Sequence, residues 1–344
     1  MSFNNTRGAR WLSCALLGVA AACARPSTVD FAGVAAKDAE SRAITVQRPA
    51  LYPETIEYDA ATDRLLLGSF REGAIYQVDR AGKAARLVDD PRLCSVLGVA
   101  LDAAHGQLWA VSSNLGASLK SCAAAPKKLA GVGIYDLETG KPRRYLDLAP
   151  LVDGPHLLNG IAVDAAGAAY VTDSFSPVIY RVEASGSASV FARDARFAGD
   201  GINLNGVVVH PRGYLLVVKK SDGSLFKVPL DAPSRLSQVV SATKLVGGDG
   251  LTLIGEKGLV VIANRTPQKT ANAAYFISSD DDWASAQLRA ERSLGDVYPT
   301  TAVRLEDTLY VVHSKLNELI DAPPEKKGEL QLLPTITPFG RVAP

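Results

Sequence analysis

Methionine and histidine are scarce in this 344-residue chain, which has one Met and four His. That argues against a methionine-lined peptide groove and against a multi-histidine metal centre. Neither sign of charge dominates. Lys and Arg number 37 against 36 Asp and Glu, mixed along the chain, for a formal charge of +1. No basic tract is available to follow a phosphate backbone, so nucleic acid is not an expected partner. Long hydrophobic runs are missing too. The stretch at 11–22, WLSCALLGVAAA, is twelve residues long, short of the ~20 that span a bilayer. There is no Gly-x-Ser-x-Gly elbow, no phosphate loop and no His-x-x-x-His pair, which removes the usual serine-hydrolase, nucleotide and zinc-helix signatures.

What is present first is a targeting segment. Arg7 and Arg10 precede the apolar stretch, which ends in alanines followed by Cys23. Small residues before a cysteine predict a lipoprotein-type signal over 1–23, with Cys23 as the lipidated first residue; Ala20 departs from the usual Leu of that box. Plain secretion after an Ala-x-Ala site is the alternative. Either way the chain is expected to be exported, as a periplasmic or outer-membrane lipoprotein or as a secreted protein. It would meet a membrane only through a lipid anchor. In an oxidising compartment the two remaining cysteines, Cys94 and Cys122, are a candidate disulfide, with two separate buried thiols as the alternative.

From residue 51 the chain reads as short alternating apolar runs broken by Gly, Asp and Pro, an all-β pattern. A six-residue unit recurs: ETIEYD at 54–59, LGVALD at 97–102, NGIAVD at 159–164, NGVVVH at 205–210, DGLTLI at 249–254 and, more weakly, TAVRLE at 301–306. A second apolar run follows each copy (RLLLGS, QLWAVS, AAYVTD, YLLVVK, LVVIAN, TLYVVH), and often a third. Units of ~40–50 residues with three or four strands are propeller blades. Six copies predict a six-bladed β-propeller with a central channel over 51–340. Residues 24–50 are expected to be a linker, with 41–48 (SRAITVQR) as a candidate strand to close the ring on blade 6. An insert at 113–130 lies between the second and third strands of blade 2, where a loop of that length is often functional.

In a propeller the first strands line the channel in one direction, so their first residues meet at one end. That column reads Glu54, Leu97, Asn159, Asn205, Asp249 and Thr301. Two carboxylates and two carboxamides in one register are what a hard divalent cation takes as ligands, and the charges balance. Asn-Gly and Asp-Gly are also common turn dipeptides; the repeated register favours the metal reading. The second strand returns toward the same end. The column of its last residues is Ser69, Ser113, Asp173, Lys219, Asn264 and His313. With Asn114 and Thr301 these are expected to face a substrate. Lys219 and His313 are candidates to bind an oxyanion or move a proton, although a solvated Lys and a structural His are the plainer readings. His156 is placed near the rim.

At this point the sequence resembles the senescence-marker-protein and gluconolactonase family of six-bladed propellers and, more distantly, paraoxonases and diisopropyl fluorophosphatase. The resemblance covers about 50–340. It implies a catalytic calcium, or another divalent ion, held by Glu54, Asn159, Asn205 and Asp249. Two departures stand out. Glu54 is followed by Thr55 and Ile56 instead of Gly-Pro, and Ser113 and Asn114 stand where the sugar-lactonase branch has a substrate-binding arginine. The expectation is an exported, monomeric, calcium-dependent hydrolase of small lactones or related esters, with Asp249 activating water. The alternative is a non-catalytic propeller that binds a ligand or partner protein around a structural calcium. A metal-free carbon–carbon bond-forming propeller of the strictosidine-synthase kind is a third, weaker reading.

Overall fold

Besides Met1, the computed structural model describes residues 28–343 except 36–38, 40–41, 324–325 and 327–328. The signal segment, with Cys14 and Cys23, lies outside the described residues. What is described is a six-bladed β-propeller built from six antiparallel sheets. Blade 1 starts with Pro53–Asp59, blade 2 with Ser95–Asp102, blade 3 with Leu158–Val163, blade 4 with Leu204–His210, blade 5 with Gly248–Ile254 and blade 6 with Pro299–Leu305. Blades 1 to 5 each have four strands in chain order from the channel outward. Alternation is what makes this possible. In RLLLGS of blade 1 and YLLVVK of blade 4, side chains on both faces of the strand are buried between neighbouring blades, so the runs are almost continuously apolar. Aromatic side chains fill the wedges between blades. Trp109, Tyr135, Tyr180, Phe197 and Phe226 are fully buried, and Phe197 meets Phe226 edge-on at 5.1 Å.

The N-terminal segment is part of the propeller. Ile44–Thr45 pairs with Thr335 and Ile336, inside 41–48. The outermost strand of blade 6, however, is Thr28–Asp30, which pairs with Arg341–Ala343. The expectation for 24–50 joined a linker to a candidate ring-closing strand at 41–48; Ile44–Thr45 lies in that strand, and Thr28–Asp30 adds a second strand to the same sheet where a linker was expected. Three residues, TVD, are too few to show a period, which is why the pattern did not reveal them.

The insert of blade 2 is tied down covalently. Cys94 and Cys122 are disulfide-bonded, with Cα atoms 5.4 Å apart. Lys120 donates from Nζ to the carbonyls of Gly73 and Asp90, and Leu119 N–H to that of Arg71. A bond closing a loop of this length stabilises by roughly 3–4 kcal/mol in the chain-entropy account.

Candidate functional site

The glycines after the first-column residues explain how the ring is assembled. Gly160, Gly206 and Gly250 lie inside first strands, and none has a positive φ. The turn reading of Asn-Gly and Asp-Gly is therefore excluded for these strands. What the glycine provides is close approach. A Cβ on Gly98 would stand 2.4 Å from the Asn159 carbonyl oxygen, one on Gly160 2.4 Å from that of Asn205, and one on Gly206 2.1 Å from that of Asp249. Each glycine receives the backbone of the next blade's ring residue, which draws successive first strands together around the axis.

The same rule corrects blade 6. A Cβ on Gly250 would meet the carbonyl oxygen of Thr300 at 2.7 Å. Thr301 donates from Oγ1 to the Glu54 carbonyl at 3.0 Å, across the closing seam. Thr300 is thus the structural equivalent of Glu54, Asn159, Asn205 and Asp249, and Thr301 that of the glycines. A sequence signal existed for it: Tyr298-Pro299-Thr300 repeats Tyr52-Pro53-Glu54, and both tyrosines have a φ of 46°.

Glu54, Leu97, Asn159, Asn205, Asp249 and Thr301 line one cavity of about 290 Å³, the channel lumen. The ring side chains are buried: Glu54 is 8 % exposed, Asn159 4 %, Asn205 3 % and Asp249 2 %. At the other end Leu101, Val163, Val209 and Leu253 are partly exposed. Between the two, walls of Val99, Ile161, Val207 and Leu251 are apolar, and Glu57 stands among them. Water reaches Glu57 along the lumen, but protein surrounds it, and burial pushes its carboxyl up to about 7.

The second column is corrected more heavily. Pairing sets Leu158 opposite Asp173 and Leu204 opposite Lys219. Those residues share the face of the position before the ring, so by period-two alternation the next residue faces inward. Lys219 points away from the channel. Its Nζ donates to the carbonyls of Ala198 at 2.6 Å and Arg196 at 3.1 Å, and pairs with Asp222. His313 is hydrogen-bonded through Nε2 to Thr337 Oγ1 at 2.7 Å, on the adjacent strand of blade 6, where burial lowers its pKa to about 4. Asp173 accepts from Leu157, Phe175 and Ser176 N–H and pairs with His156, so both acid and imidazole are spent holding a loop. Ser69 donates to Leu51 O and Ser113 to Leu158 O, and Asn114 closes a turn of the insert through Ala124 O and Gly116 N–H. Of this column, Asn264 alone reaches a ring carboxylate, that of Asp249. Asn264 and Ser113 are the two residues of the column already on the inward parity, since Gly248 pairs with Ala263 in blade 5 and Val96 with Ser112 in blade 2.

The residue missed by sequence reading is Lys220, 4 % exposed. Its Nζ donates to Asp249 Oδ2 at 2.8 Å and to Asn264 Oδ1. Asn264 in turn donates from Nδ2 to Asp249 Oδ2 and to Pro299 O. Burial opposes the Lys220 charge, but Asp249, with Tyr298 and Glu54, outweighs it and holds the ammonium above the ordinary lysine range. Among the described residues Glu54 has no such partner. Burial, and then the Asp249 charge, push its carboxyl well above the usual range despite Lys220. Asn159 donates to Ser174 Oγ at 3.1 Å.

This geometry tests the expected calcium. The four oxygen-bearing residues do share one ring. Asp249, however, already carries an ammonium. An ion ~2.4 Å from the same oxygen would stand at most about 5 Å from Nζ, a repulsion of about 7 kcal/mol at an effective dielectric of 20. The donor set with Lys220 in place does not fit a divalent cation.

No family model matches the sequence, nor does any curated protein. Solved structures share the fold at low identity. The major allergen Mala s 1 of Malassezia sympodialis is 18% identical, with a TM-score of 0.69 over 88% of this chain and 96% of its own. A gluconolactonase candidate is 16% identical, TM-score 0.56, covering 88% and 94%. Virginiamycin B lyase from Staphylococcus aureus is 12% identical, TM-score 0.54, covering 92% and 99%. At these identities the likeness establishes the fold: the chain is a six-bladed β-propeller of the shape shared by an allergen, a gluconolactonase candidate and a lyase.

Proposed function

We propose that the channel binds a small lactone or related ester and hydrolyses it. One observation carries this reading: the acids Glu54 and Asp249 and the amide of Asn205 line the buried ring of a lumen of about 290 Å³, and the Lys220 ammonium is hydrogen-bonded to Asp249 there. The fold also hosts enzymes, among them a lyase and a gluconolactonase candidate. In the proposed reaction, water attacks the ester carbonyl and gives its proton to the Asp249 carboxylate. The Lys220 ammonium and the Asn205 amide face the carbonyl oxygen as it gains charge. The C–O bond then breaks, and the leaving alkoxide takes the proton that burial keeps on Glu54. Asp249 ends protonated and Glu54 ionised, and a proton exchange restores the start. Lys219 and His313 have no part.

The test is turnover of a panel of lactones and aryl esters followed by pH-stat, with Asp249→Asn beside the wild type. We expect hydrolysis in the wild type and a loss of at least about 100-fold, or ~2.7 kcal/mol, in a variant with an unchanged circular dichroism spectrum. Full turnover by folded Asp249→Asn removes this assignment. A second reading, a non-catalytic binding propeller, is favoured by how completely Lys220, Asp249 and Asn264 satisfy one another. It predicts no turnover of any ester but saturable ligand binding.

Export belongs to the same proposal. The Cys94–Cys122 disulfide supports an oxidising compartment, in keeping with the N-terminal signal and Cys23. Mass spectrometry of the membrane fraction, seeking a diacylated N-terminal Cys23, checks the lipid anchor.

A further inference from the structure

We infer that Lys220 is the resident cation of this ring, a tethered ammonium in the seat that the surrounding oxygen groups would otherwise offer to a divalent ion. This goes beyond the hydrolase reading and changes how that same site would work, because it makes the chemistry independent of metal. The argument is geometric. Two acids on either side of blade 6, Glu54 of blade 1 and Asp249 of blade 5, face one lumen with the amides of Asn159 and Asn205. A buried Asp249 carboxylate beside a second acid requires a positive partner. The side chain that arrives is Lys220, from the end of the second strand of blade 4, placed there by strand parity while its neighbour Lys219 is turned outward.

Its contacts are those of an ion in a coordination site. Nζ touches the Asp249 carboxylate and the Asn264 amide oxygen, both on blade 5, and Asn264 is itself fixed by the Pro299 carbonyl of blade 6. The ammonium thereby ties blade 4 to blade 5, and through Asn264 to blade 6, as a metal bound by the same groups would. A cation supplied by the chain has one charge where calcium has two, and a second ion cannot share Asp249 with it. Removing the ammonium should uncover the oxygen groups. The wild type is therefore a closed metal site, and a one-residue change opens it.

The experiment reads binding and needs no turnover, so the failure of the hydrolase reading would leave its outcome intact. The purified protein is titrated with Ca²⁺ by calorimetry and with Tb³⁺ by luminescence, for which Tyr298, beside Lys220, is a natural sensitiser. Lys220→Gln, which keeps hydrogen-bonding capacity toward Asp249 and Asn264, and the double variant Lys220→Gln/Asp249→Asn are titrated alongside. The expected result is no stoichiometric site in the wild type, one site in Lys220→Gln bound at least 100-fold more tightly than any wild-type binding, and its loss in the double variant. A stoichiometric wild-type site abolished by Asp249→Asn alone overturns the inference. So does a folded Lys220→Gln that binds neither ion. If Lys220→Gln does not fold, the wild-type titration decides together with Lys220→Asn, whose shorter amide leaves more room. Chelator should leave any wild-type turnover within twofold of its untreated value, and a tenfold loss restored by Ca²⁺ would count against a tethered cation.

Discussion

Lys219 and Lys220 are neighbours in sequence and almost equally buried, at 6 % and 4 % exposed, yet they belong to two different regions of the molecule. Lys219 faces outward, and its charge is spread over the carbonyls of Arg196 and Ala198 and the half-exposed Asp222. Lys220 faces the channel and meets a carboxylate that is itself 2 % exposed. The difference is one step of strand alternation. It teaches that burial alone does not rank charged residues: what matters is whether water can stand in for the lost partner. At Lys219 it can. At Lys220, removal leaves Asp249 as a dry charge beside Glu54.

The sharpest way to break this comparison is Lys220→Met. It should destabilise the fold by about 3–5 kcal/mol in urea unfolding, the usual consequence of stranding a buried charge. Adding Asp249→Asn, which removes the stranded charge, should recover more than half of that loss. If Lys220→Met costs no more than about 1 kcal/mol, the channel is wetter than its burial indicates and the two lysines are equivalent.

A second contrast sets the channel against the blade interior through pH. Glu57 stands in the lumen with its carboxyl raised to about 7, and His313 stands between strands of blade 6 with its imidazole lowered to about 4. The folded state keeps the Glu57 proton that the unfolded chain loses near 4.5, so stability falls as pH rises from there to 7. For His313 the unfolded chain gains a proton near 6.5 that the folded state refuses, so stability falls as pH drops from 6.5 to 4. Between pH 4.5 and 6.5 the two slopes, each up to about 1.4 kcal/mol per pH unit, oppose one another. Glu57→Gln should therefore be more stable than the wild type by up to about 3 kcal/mol at pH 8 and equal to it at pH 4. His313→Gln should lose the acid arm while forfeiting about 1 kcal/mol for the bond to Thr337. Urea midpoints from pH 4 to 8 check both, and parallel curves for wild type and Glu57→Gln would mean that Glu57 titrates as a solvated acid.

How much of this could be read from the chain follows from the same geometry. The blades were legible because each repeats the same apolar runs, and the repeats are set by packing that every blade shares. Glu54, Asn159, Asn205 and Asp249 were legible as a register because the glycines after Asn159, Asn205 and Asp249 answer a steric need that recurs at each seam. Blade 6 was misread by one residue because no glycine marks it, although Tyr298-Pro299 does. The inward side chains of the second strands were not legible from strand ends: a strand's last residue faces the channel or its neighbour according to where pairing stops, and pairing stops at Leu204–Lys219 in one blade and Gly248–Ala263 in the next. Lys220 was hidden for that reason, and with it the cation that changes the reading of the ring.

The smallest expected effect is at Lys219, and it completes the comparison. Lys219→Met removes two hydrogen bonds to backbone carbonyls, at 2.6 and 3.1 Å, and one ion pair at 2.9 Å. Arg196 and Ala198, which own those carbonyls, are exposed residues, so water can replace the ammonium, and the methionine keeps the packing of the stem. The expected loss is about 1 kcal/mol, with ester turnover and ion binding unchanged, because nothing in the ring touches this side chain. Raising the salt concentration should take little of it away, since neutral carbonyls make most of the contact. Should Lys219→Met instead abolish turnover while the fold persists, the two lysines would have exchanged roles, and strand parity at the end of blade 4 would have to be assigned the other way.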